Sequence, residues 1–282
     1  MLTQEMTNKL IYDYTKEYES LAELSRRYSI TTAAIKKILI ENNIHIRDRR
    51  EQTHFTNMKR AKTCDTHYFS NIDTYTKAWL IGFLASDGTI RKDTNSIKIG
   101  LSARDKEILE KIKEEVSIER NILEYTTSNG FDIVEIEWTS MQHKQDLAKY
   151  GVVPNKTYIE NTLPHFDNDN YTLAYILGYF DGDGSISLSP QGYLRFRLCC
   201  YTEKFLQSIA IFFEKKYGAT YSLSKDPSRQ MYELSISTTY AKHIFDDMYS
   251  LNTLHLDRKY QKYLEYKAIH ETSTSDTDEK VR

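Results

Sequence analysis

The sequence has few cysteines, and their placement excludes a disulfide framework. Only three occur among its 282 residues, and no CxxC or His-Cys spacing indicates a zinc site. Long apolar runs are also absent, since no segment approaches the roughly 20 residues of a membrane span, and the N-terminus has no signal-peptide pattern. We therefore expect no membrane association, no secretion, and a reducing location: the cytoplasm, for a bacterial or phage-encoded protein, or an organelle matrix.

An excess of positive charge is missing as well. The formal net charge is −2, although nucleic-acid-binding proteins usually carry a basic surface. The charge is uneven, because residues 1–62 carry 12 Lys and Arg against 8 Asp and Glu, whereas residues 63–270 carry 24 against 28. Any nucleic-acid contact by the second part must therefore use positive charge that is concentrated on one face.

Two apolar stretches, Thr76–Ile90 and Tyr171–Ser187, end in the same acidic pattern. Each has a glycine in its middle and an aspartate followed by a glycine at its end. Three pairs of matching residues are 96 positions apart: Gly82 and Gly178, Asp87 and Asp183, and Gly88 and Gly184. This constant spacing indicates an internal duplication.

Each stretch is predicted to be a helix that ends at its aspartate. Thr76 can cap the first helix, and Thr172 or Asn170 the second, because their side-chain oxygens accept hydrogen bonds from first-turn amides. Gly88 and Gly184 stand where a glycine commonly ends a helix in the left-handed conformation.

Small residues form a stripe along both predicted helices. Gly82 and Ser86 are four positions apart, and so are Gly178 and Gly182. A stripe without bulky side chains allows two helix backbones to approach closely, an effect best known in membranes but steric in origin. We expect the two helices to pack through Gly82 and Gly178 with their C-termini together.

Asp87 and Asp183 would then be neighbours at these C-termini, where helices already present unpaired carbonyls and the negative end of their dipoles. Two carboxylates placed there repel each other unless a cation is present. Carboxylate and carbonyl oxygens are the ligand set of a hard ion such as Mg²⁺. A single Asp-Gly is commonly only a turn, but two copies at a fixed spacing favour a metal site.

The motifs LIGFLASDG, at Leu80–Gly88, and ILGYFDGDG, at Ile176–Gly184, resemble the two motifs of single-chain LAGLIDADG homing endonucleases. The resemblance covers about residues 74–270. The sixth motif position of that family is usually acidic, which fits Asp181 but not Ala85, so the two copies differ there.

The resemblance implies that Asp87 and Asp183 are the catalytic, metal-binding acids. We expect the carbonyls of Ser86 and Gly182 to assist them and the cofactor to be Mg²⁺ or Mn²⁺. Members of that family commonly have a lysine that reaches toward the active site, and in the first repeat this lysine corresponds to Lys156. In the second repeat it corresponds to Lys259, or to Arg258 because the alignment is ambiguous there; all of these could instead be ordinary surface residues.

The pattern after each motif predicts the fold class. Apolar residues alternate at residues 96–101, 133–138, 194–198 and 232–237, which indicates strands. Amphipathic segments predict helices at Asp105–Val116, Gln142–Tyr150, Glu203–Tyr217 and Tyr240–Leu251. The class is therefore α+β, with pseudo-twofold duplicated α-β-β-α-β-β-α repeats. The resemblance implies that their two antiparallel sheets form a saddle over DNA.

The N-terminal segment predicts a separate small all-α domain. Residues 8–46 show three short helical patterns, of which the last two resemble a helix-turn-helix whose second helix enters the major groove. Candidate DNA contacts are Thr31, Thr32, Ala33, Lys36 and Lys37, followed by a basic arm of Arg47, Arg49, Arg50, Lys59, Arg60 and Lys62. The alternative is a three-helix packing module with a solvated basic tail.

The predicted domains are therefore a helix-turn-helix at 1–50, a linker at 51–73, repeats at 74–168 and 169–270, and a disordered tail at 271–282. On the strands, Lys98, Arg195 and Arg197 suit base edges or phosphates. Glu135, Glu137 and Glu233 oppose this unless they accept from cytosine or lie at the sheet margin. A sheet with one polar face is normally just solvated there.

The expected function is site-specific cleavage of double-stranded DNA by a monomer, since both repeats lie in one chain, with short 3′ overhangs implied by the resemblance. Two alternatives stay open. One is an RNA maturase that assists splicing, with its own intron RNA as the partner, and the other is a non-catalytic DNA-binding regulator of the same fold. The presence of both acids favours the nuclease.

Overall fold

The structure, a computed structural model, describes residues 3–61, 64–156, 159 and 162–278. It divides into two compact units, residues 1–64 and residues 65–282. Within the described residues, no helix is both long and apolar enough to cross a lipid bilayer.

The first unit consists of helices α1 (Gln4–Thr15), α2 (Leu21–Tyr28), α3 (Thr32–Glu41) and α4 (Arg49–Ala61). Ser20 and Glu23 form a capping box at the start of α2, and the Thr31 side chain caps α3. Between them Ser29 adopts the left-handed conformation, with φ 52°. The three helices predicted from the sequence are present. The first part of the predicted linker 51–73 is helical, because α4 extends to Ala61. Lys62 lies outside the described residues.

A buried apolar core holds the helices of this unit together. Leu10, Leu24, Ile35 and Leu39 are fully buried and pack together, which places one apolar side of α1, α2 and α3 at the centre. The helices are therefore held by tertiary packing rather than by their own short length.

The second unit contains two copies of one arrangement. The first copy consists of α5 (Tyr75–Ser86), β1 (Gly88–Ile90), β2 (Ser96–Ser102), α6 (Lys106–Glu115), β3 (Leu123–Thr126), β4 (Asp132–Thr139) and α7 (Met141–Ala148). The second consists of α8 (Asp169–Asp183), β5 (Gly184–Leu188), β6 (Leu194–Cys200), α9 (Glu203–Tyr217), β7 (Ser222–Asp226), β8 (Met231–Ile236) and α10 (Thr238–Ser250).

Each copy forms a four-stranded antiparallel sheet. The strand orders are β1-β2-β4-β3 and β5-β6-β8-β7. Helix α6 packs on β2 and β4, and helices α9 and α10 pack on the second sheet. The opposite side of each sheet, which carries the polar alternating residues, is called the open face below. The predicted α+β fold with duplicated repeats is confirmed.

The last helix, α11 (Asp257–Asp278), follows the second copy. Residues 271–278 are therefore helical, where the sequence predicted a disordered tail, and residues 279–282 lie outside the described residues.

The two central helices, α5 and α8, meet through their glycines. A Cβ on Gly82 would fall on the Tyr175 carbonyl and within 2.9 Å of the Tyr179 nitrogen. A Cβ on Gly178 would fall in the same way on the Trp79 carbonyl and within 2.9 Å of the Phe83 nitrogen. The predicted close packing through Gly82 and Gly178 is confirmed, and it is backbone against backbone.

The predicted helix caps were wrong. The N-caps are Thr74, which accepts from the Lys77 amide at 3.2 Å, and Asn168, rather than Thr76 and Thr172 or Asn170. Several capping residues stand close together at each helix start, and packing of the first turn decides among them.

Gly88 and Gly184 are not left-handed helix ends either. Gly184 is extended, with φ −87° and ψ 164°, and both glycines lead straight into strands. Their lack of a side chain is needed for space, because a Cβ would lie 2.5 Å from the Leu84 carbonyl oxygen or 2.6 Å from that of Phe180.

Candidate active centre

Asp87 and Asp183 stand at the adjacent C-terminal ends of α5 and α8. Asp87 is the C-cap of α5, and Asp183 is the last residue of α8. A Cβ on Gly182 would lie 3.1 Å from the Asp87 carboxyl carbon, so the second helix passes directly beside the first acid. The glycine stripe thus brings the two carboxylates together, as the sequence predicted.

Burial favours the neutral, protonated form of both acids. Burial raises the pKa of Asp87 to about 6, and repulsion by Asp183 adds to the shift, whereas Lys259 and Lys156 oppose it. The Asp183 side chain is more exposed, but desolvation by the surrounding protein still raises its pKa, opposed by the same two lysines and by Tyr179. Such an arrangement favours the approach of a cation.

Lys156 reaches the end of the first central helix. Its ammonium group donates a hydrogen bond to the Gly88 carbonyl oxygen, at the start of β1. Burial lowers the pKa of Lys156, while Asp183 and Asp87 act in the opposite direction. The predicted lysine therefore lies beside both acids.

Lys259 occupies the matching place in the second repeat, but it is almost fully buried, at 3% exposure. Its ammonium donates to the carbonyls of Asp181 at 2.8 Å and Gly184 at 2.6 Å, and to those of Phe180 and, at 3.5 Å, Gly182. Burial lowers the pKa of Lys259 to about 8. The Gly184 carbonyl is the counterpart of the Gly88 carbonyl that Lys156 binds.

Arg258, the alternative to Lys259, points elsewhere. Its Nε donates to both carboxylate oxygens of Asp105, at 3.1 and 3.2 Å. Lys259 is therefore the structural counterpart of Lys156, and Arg258 joins the second repeat to the first.

Asp181 is fully buried, and the sequence did not predict that it would connect several elements of the fold. Its Oδ2 accepts from the Trp79 indole at 2.9 Å and from the Leu256 amide at 3.2 Å, while Oδ1 has no hydrogen-bond partner. Burial raises the pKa of Asp181 to about 7, and Lys259 opposes this. Asp181 thus ties α8 to α5 and to the segment before Lys259. No sequence signal shows this, because Trp79 is 102 residues away.

A cleft of about 200 Å³ opens beside Asp183. Ser86, Lys156, Tyr179 and Cys199 are among the residues that line it. Cys199 lies close enough to Asp183 for that carboxylate to help raise its pKa, after burial and together with Glu233. The cleft leaves room beside one acid for a ligand that contacts both a carboxylate and an ammonium group.

The strand residues predicted to contact DNA lie on the open faces. Lys98 forms an ion pair with Glu135 at 2.9 Å, and Arg197 lies 3.9 Å from Glu233. Arg195 is exposed on β6. Glu135 and Glu233 are thus partners of predicted cations, whereas Glu137 accepts from the Ser96 hydroxyl and pairs with Arg120 at 3.3 Å. All three glutamates, which opposed a DNA-binding interpretation, lie on the inner strands β4 and β8 rather than at the sheet margin.

A family model described as the LAGLIDADG-like domain matches residues 74–142 and 170–248, which together exceed half of the chain. The chain belongs to the LAGLIDADG family. Each matched segment contains one central helix, its aspartate and the sheet that follows, so the family assignment and the duplicated fold agree.

Similar proteins include an uncharacterized protein, MJ0314, of Methanocaldococcus jannaschii, which is 23% identical over 201 residues and spans 67% of this chain and 69% of that protein. Among solved structures, the LAGLIDADG homing endonuclease I-LtrWI bound to target DNA has a TM-score of 0.47 and 14% identity, covering 71% of this chain and 91% of that one. The N-terminal LAGLIDADG domain of DUF199/WhiA has a TM-score of 0.43 and 12% identity, covering 67% and 90%.

The donor set of this LAGLIDADG chain fits a divalent cation. Two carboxylates with raised pKa values meet where helix-end carbonyls are available, and all of these donors are hard oxygens. Among the described residues, no cluster of three or more His, Cys, Asp or Glu side chains could hold a metal ion. Carbonyl, water or substrate oxygens would supply the remaining ligands of such a cation.

The N-terminal candidates fall into two groups. Thr32, Lys36, Lys37, Arg49 and Arg50 are exposed, as are Thr31 and Ala33. Arg47 is instead part of the fold: its guanidinium lies 3.8 Å from the centre of the Tyr14 ring and donates to the Glu19 carbonyl at 2.6 Å. Lys59 and Arg60 belong to α4.

Proposed function

We propose that this chain is a site-specific double-strand DNA endonuclease that hydrolyses phosphodiester bonds with Mg²⁺ or Mn²⁺ and leaves short 3′ overhangs. It acts as a monomer on a non-palindromic site, because two similar but non-identical repeats supply the two halves. The observation that supports this most is the pair of acids, Asp87 and Asp183, at adjoining helix ends with raised pKa values. That arrangement is unfavourable for a purely structural role and favourable for holding cations.

Asp87 and Asp183 would hold the metal, with the carbonyls of Ser86 and Gly182 as further oxygen donors. When bound, a divalent cation lowers the pKa of water and neutralises charge on a scissile phosphate. Tight packing of α5 against α8 keeps the two carboxylates at a fixed separation, so that little reorganisation is needed when substrate arrives.

The two lysines have different parts in this proposal. Lys156 is half-buried, faces the cleft beside Asp183, and binds one described carbonyl, so its remaining protons can face a phosphate oxygen. Lys259 directs its ammonium to carbonyls at the end of α8 and acts as a positioning residue. The exposed residues of α3 and the basic start of α4 would add affinity outside the cleavage site.

Single substitutions of the acids test the proposal. Asp87→Asn and Asp183→Asn keep the side-chain shape, so DNA binding should persist while cleavage of at least one strand falls about 100-fold or more. The assay uses a supercoiled plasmid that carries the DNA flanking this protein's own gene, incubated with Mg²⁺. Asp93→Asn, at an exposed aspartate, is the matched control and should cleave normally.

Full-rate linearisation by Asp183→Asn would contradict the assignment of the acids. Tight DNA binding by the unsubstituted protein without any Mg²⁺-dependent nicking would favour the DNA-binding regulator. A salt-dependent complex with intron RNA, again without DNA cleavage, would favour the maturase.

A further inference from the structure

One pair of charges occurs at the same place on the open face of each sheet. In the first sheet the Lys98 ammonium lies 2.9 Å from Glu135. In the second, the Arg197 Nε lies 3.9 Å from Glu233. All four side chains retain some exposure, between 14% for Glu135 and 38% for Glu233. Each pair therefore places a cationic side chain beside a carboxylate on the open face.

The strand registers show that these positions are equivalent. Thr89, two residues after one acid, lies opposite Lys98, and Ser185, two residues after the other, lies opposite Arg197. The glutamates occupy equivalent positions as well. Glu135 comes directly before Ile136, which pairs with Ile99 on β2, and Glu233 comes directly before Leu234, which pairs with Leu198 on β6. Both pairs thus connect equivalent strands, β2 with β4 and β6 with β8, at equivalent register positions.

The neighbouring positions of the open face have diverged between the repeats. Three equivalent positions carry unrelated side chains: Ser96 and Arg195, Gly100 and Cys199, and Glu137 and Ser235. A partly exposed ion pair contributes at most about 1 kcal/mol to folding. Stability alone is therefore a weak reason for the cation and the glutamate to be the same in both repeats while their neighbours differ.

The spacing within the first pair matches the edge of one base pair. In the major groove, guanine presents acceptors at O6 and N7, and cytosine presents the N4 amino donor. O6 and N4 are hydrogen-bonded to each other and so lie about 3 Å apart. A cation beside a carboxylate, as in Lys98 and Glu135, is complementary to that edge.

We propose that each sheet reads one G·C base pair with this pair of charges. Lys98 and Arg197 would donate to guanine, Glu135 and Glu233 would accept from cytosine, and the two base pairs would lie at equivalent positions on either side of the cleavage centre. This rests on the proposed function, since it names the bases that the nuclease would recognise. An otherwise non-palindromic site would thus contain two symmetric G·C pairs.

Charge-swapped variants test this assignment while they preserve both ion pairs. The full-length protein is used to select sequences from a randomised duplex library in Ca²⁺. The unsubstituted protein should enrich G·C at two symmetric positions. Lys98→Glu/Glu135→Lys should invert the preference to C·G at one of them, by roughly tenfold or more, and Arg197→Glu/Glu233→Arg should invert only the other.

The control is a swap of an ion pair away from the open face. Glu107 and Lys111, 2.7 Å apart on α6, suit this purpose, and Glu107→Lys/Lys111→Glu should leave the selected sequences unchanged. Circular dichroism of each variant establishes that it is folded before selection.

The outcomes separate this inference from the nuclease proposal. Specific selection without symmetric G·C pairs, or a swap that leaves the preference unchanged, overturns the base-reading assignment alone. Inverted preferences in a protein that never cleaves in Mg²⁺ overturn the nuclease and leave the assignment standing. A protein that selects no sequence overturns both.

Discussion

Asp87, the proposed metal ligand, opposes the stability of its own fold. Its pKa of about 6 lies above the usual 3.8 of an aspartate, first because of burial and then because of Asp183. A raised carboxyl pKa means that the folded state binds the proton more tightly than the unfolded state does. Ionisation of Asp87 therefore lowers the free energy of unfolding as pH rises from about 4 to about 6, and the loss persists at neutral pH.

Asp87→Asn should accordingly stabilise the metal-free protein at pH 7.5. The shift of about two pKa units corresponds to a gain of roughly 2–3 kcal/mol in the free energy of unfolding, and the gain should disappear near pH 4. Urea denaturation in EDTA at both values measures it. Asp93→Asn, at an exposed position, is the control and should change little. An unchanged or lower stability of Asp87→Asn at pH 7.5 would contradict the account.

At the scale of secondary structure, the contact of α5 with α8 decides where the acids lie. Gly82 and Gly178 each place a bare backbone against the carbonyl of the other helix, at Tyr175 and Trp79. Neither backbone can move away without displacing the C-terminal end of its helix. Each of these ends carries one of the two acids.

Gly178→Ala distinguishes packing from helix propensity. Propensity alone predicts a gain of about 1 kcal/mol, because alanine favours helix. The contact predicts a loss of about 3 kcal/mol or more, because the new methyl group overlaps backbone. Urea denaturation shows whether the free energy of unfolding rises or falls. Gly100→Ala is the control, since its nearest neighbour would be the Glu135 carboxylate at 3.9 Å, and a stabilised Gly178→Ala would contradict the packing account.

Much of the second unit could be predicted because its sequence repeats its own signals. The mid-helix glycines, the Asp-Gly endings and the alternating strands each occur twice, which identified Asp87, Asp183 and the order of elements. Helix caps could not be predicted, since Thr74 and Thr76 are both suitable and tertiary packing chooses between them.

Contacts between distant residues were not predictable either. The Trp79–Asp181 hydrogen bond joins opposite repeats, and Lys259 is buried beneath α8 although lysine is normally exposed. The structural roles of Arg47 and Arg258 could not be predicted for the same reason. An ion pair or ring contact between residues far apart in the sequence leaves no periodic pattern in it.

For the molecule as a whole, the second unit of the chain carries two related but unequal repeats. The repeats share the acid, the lysine and the charge pair on the sheet, yet Asp181 has only Ala85 as its counterpart, and a cleft of about 200 Å³ opens beside Asp183. The difference between the repeats supports the proposal that the protein acts as a monomer on a DNA site whose two sides differ.

The most direct measurement is the mapping of both cut positions on a duplex that the protein itself selects. Each strand is labelled at its 5′ end, incubated with the protein and Mg²⁺, and resolved on a denaturing gel. We predict one cut in each strand, offset across the minor groove to leave short 3′ overhangs, with at least one cut lost in Asp87→Asn and in Asp183→Asn. Intact strands, a cut in one strand only, or 5′ overhangs would contradict the claim that these two acids together cleave double-stranded DNA.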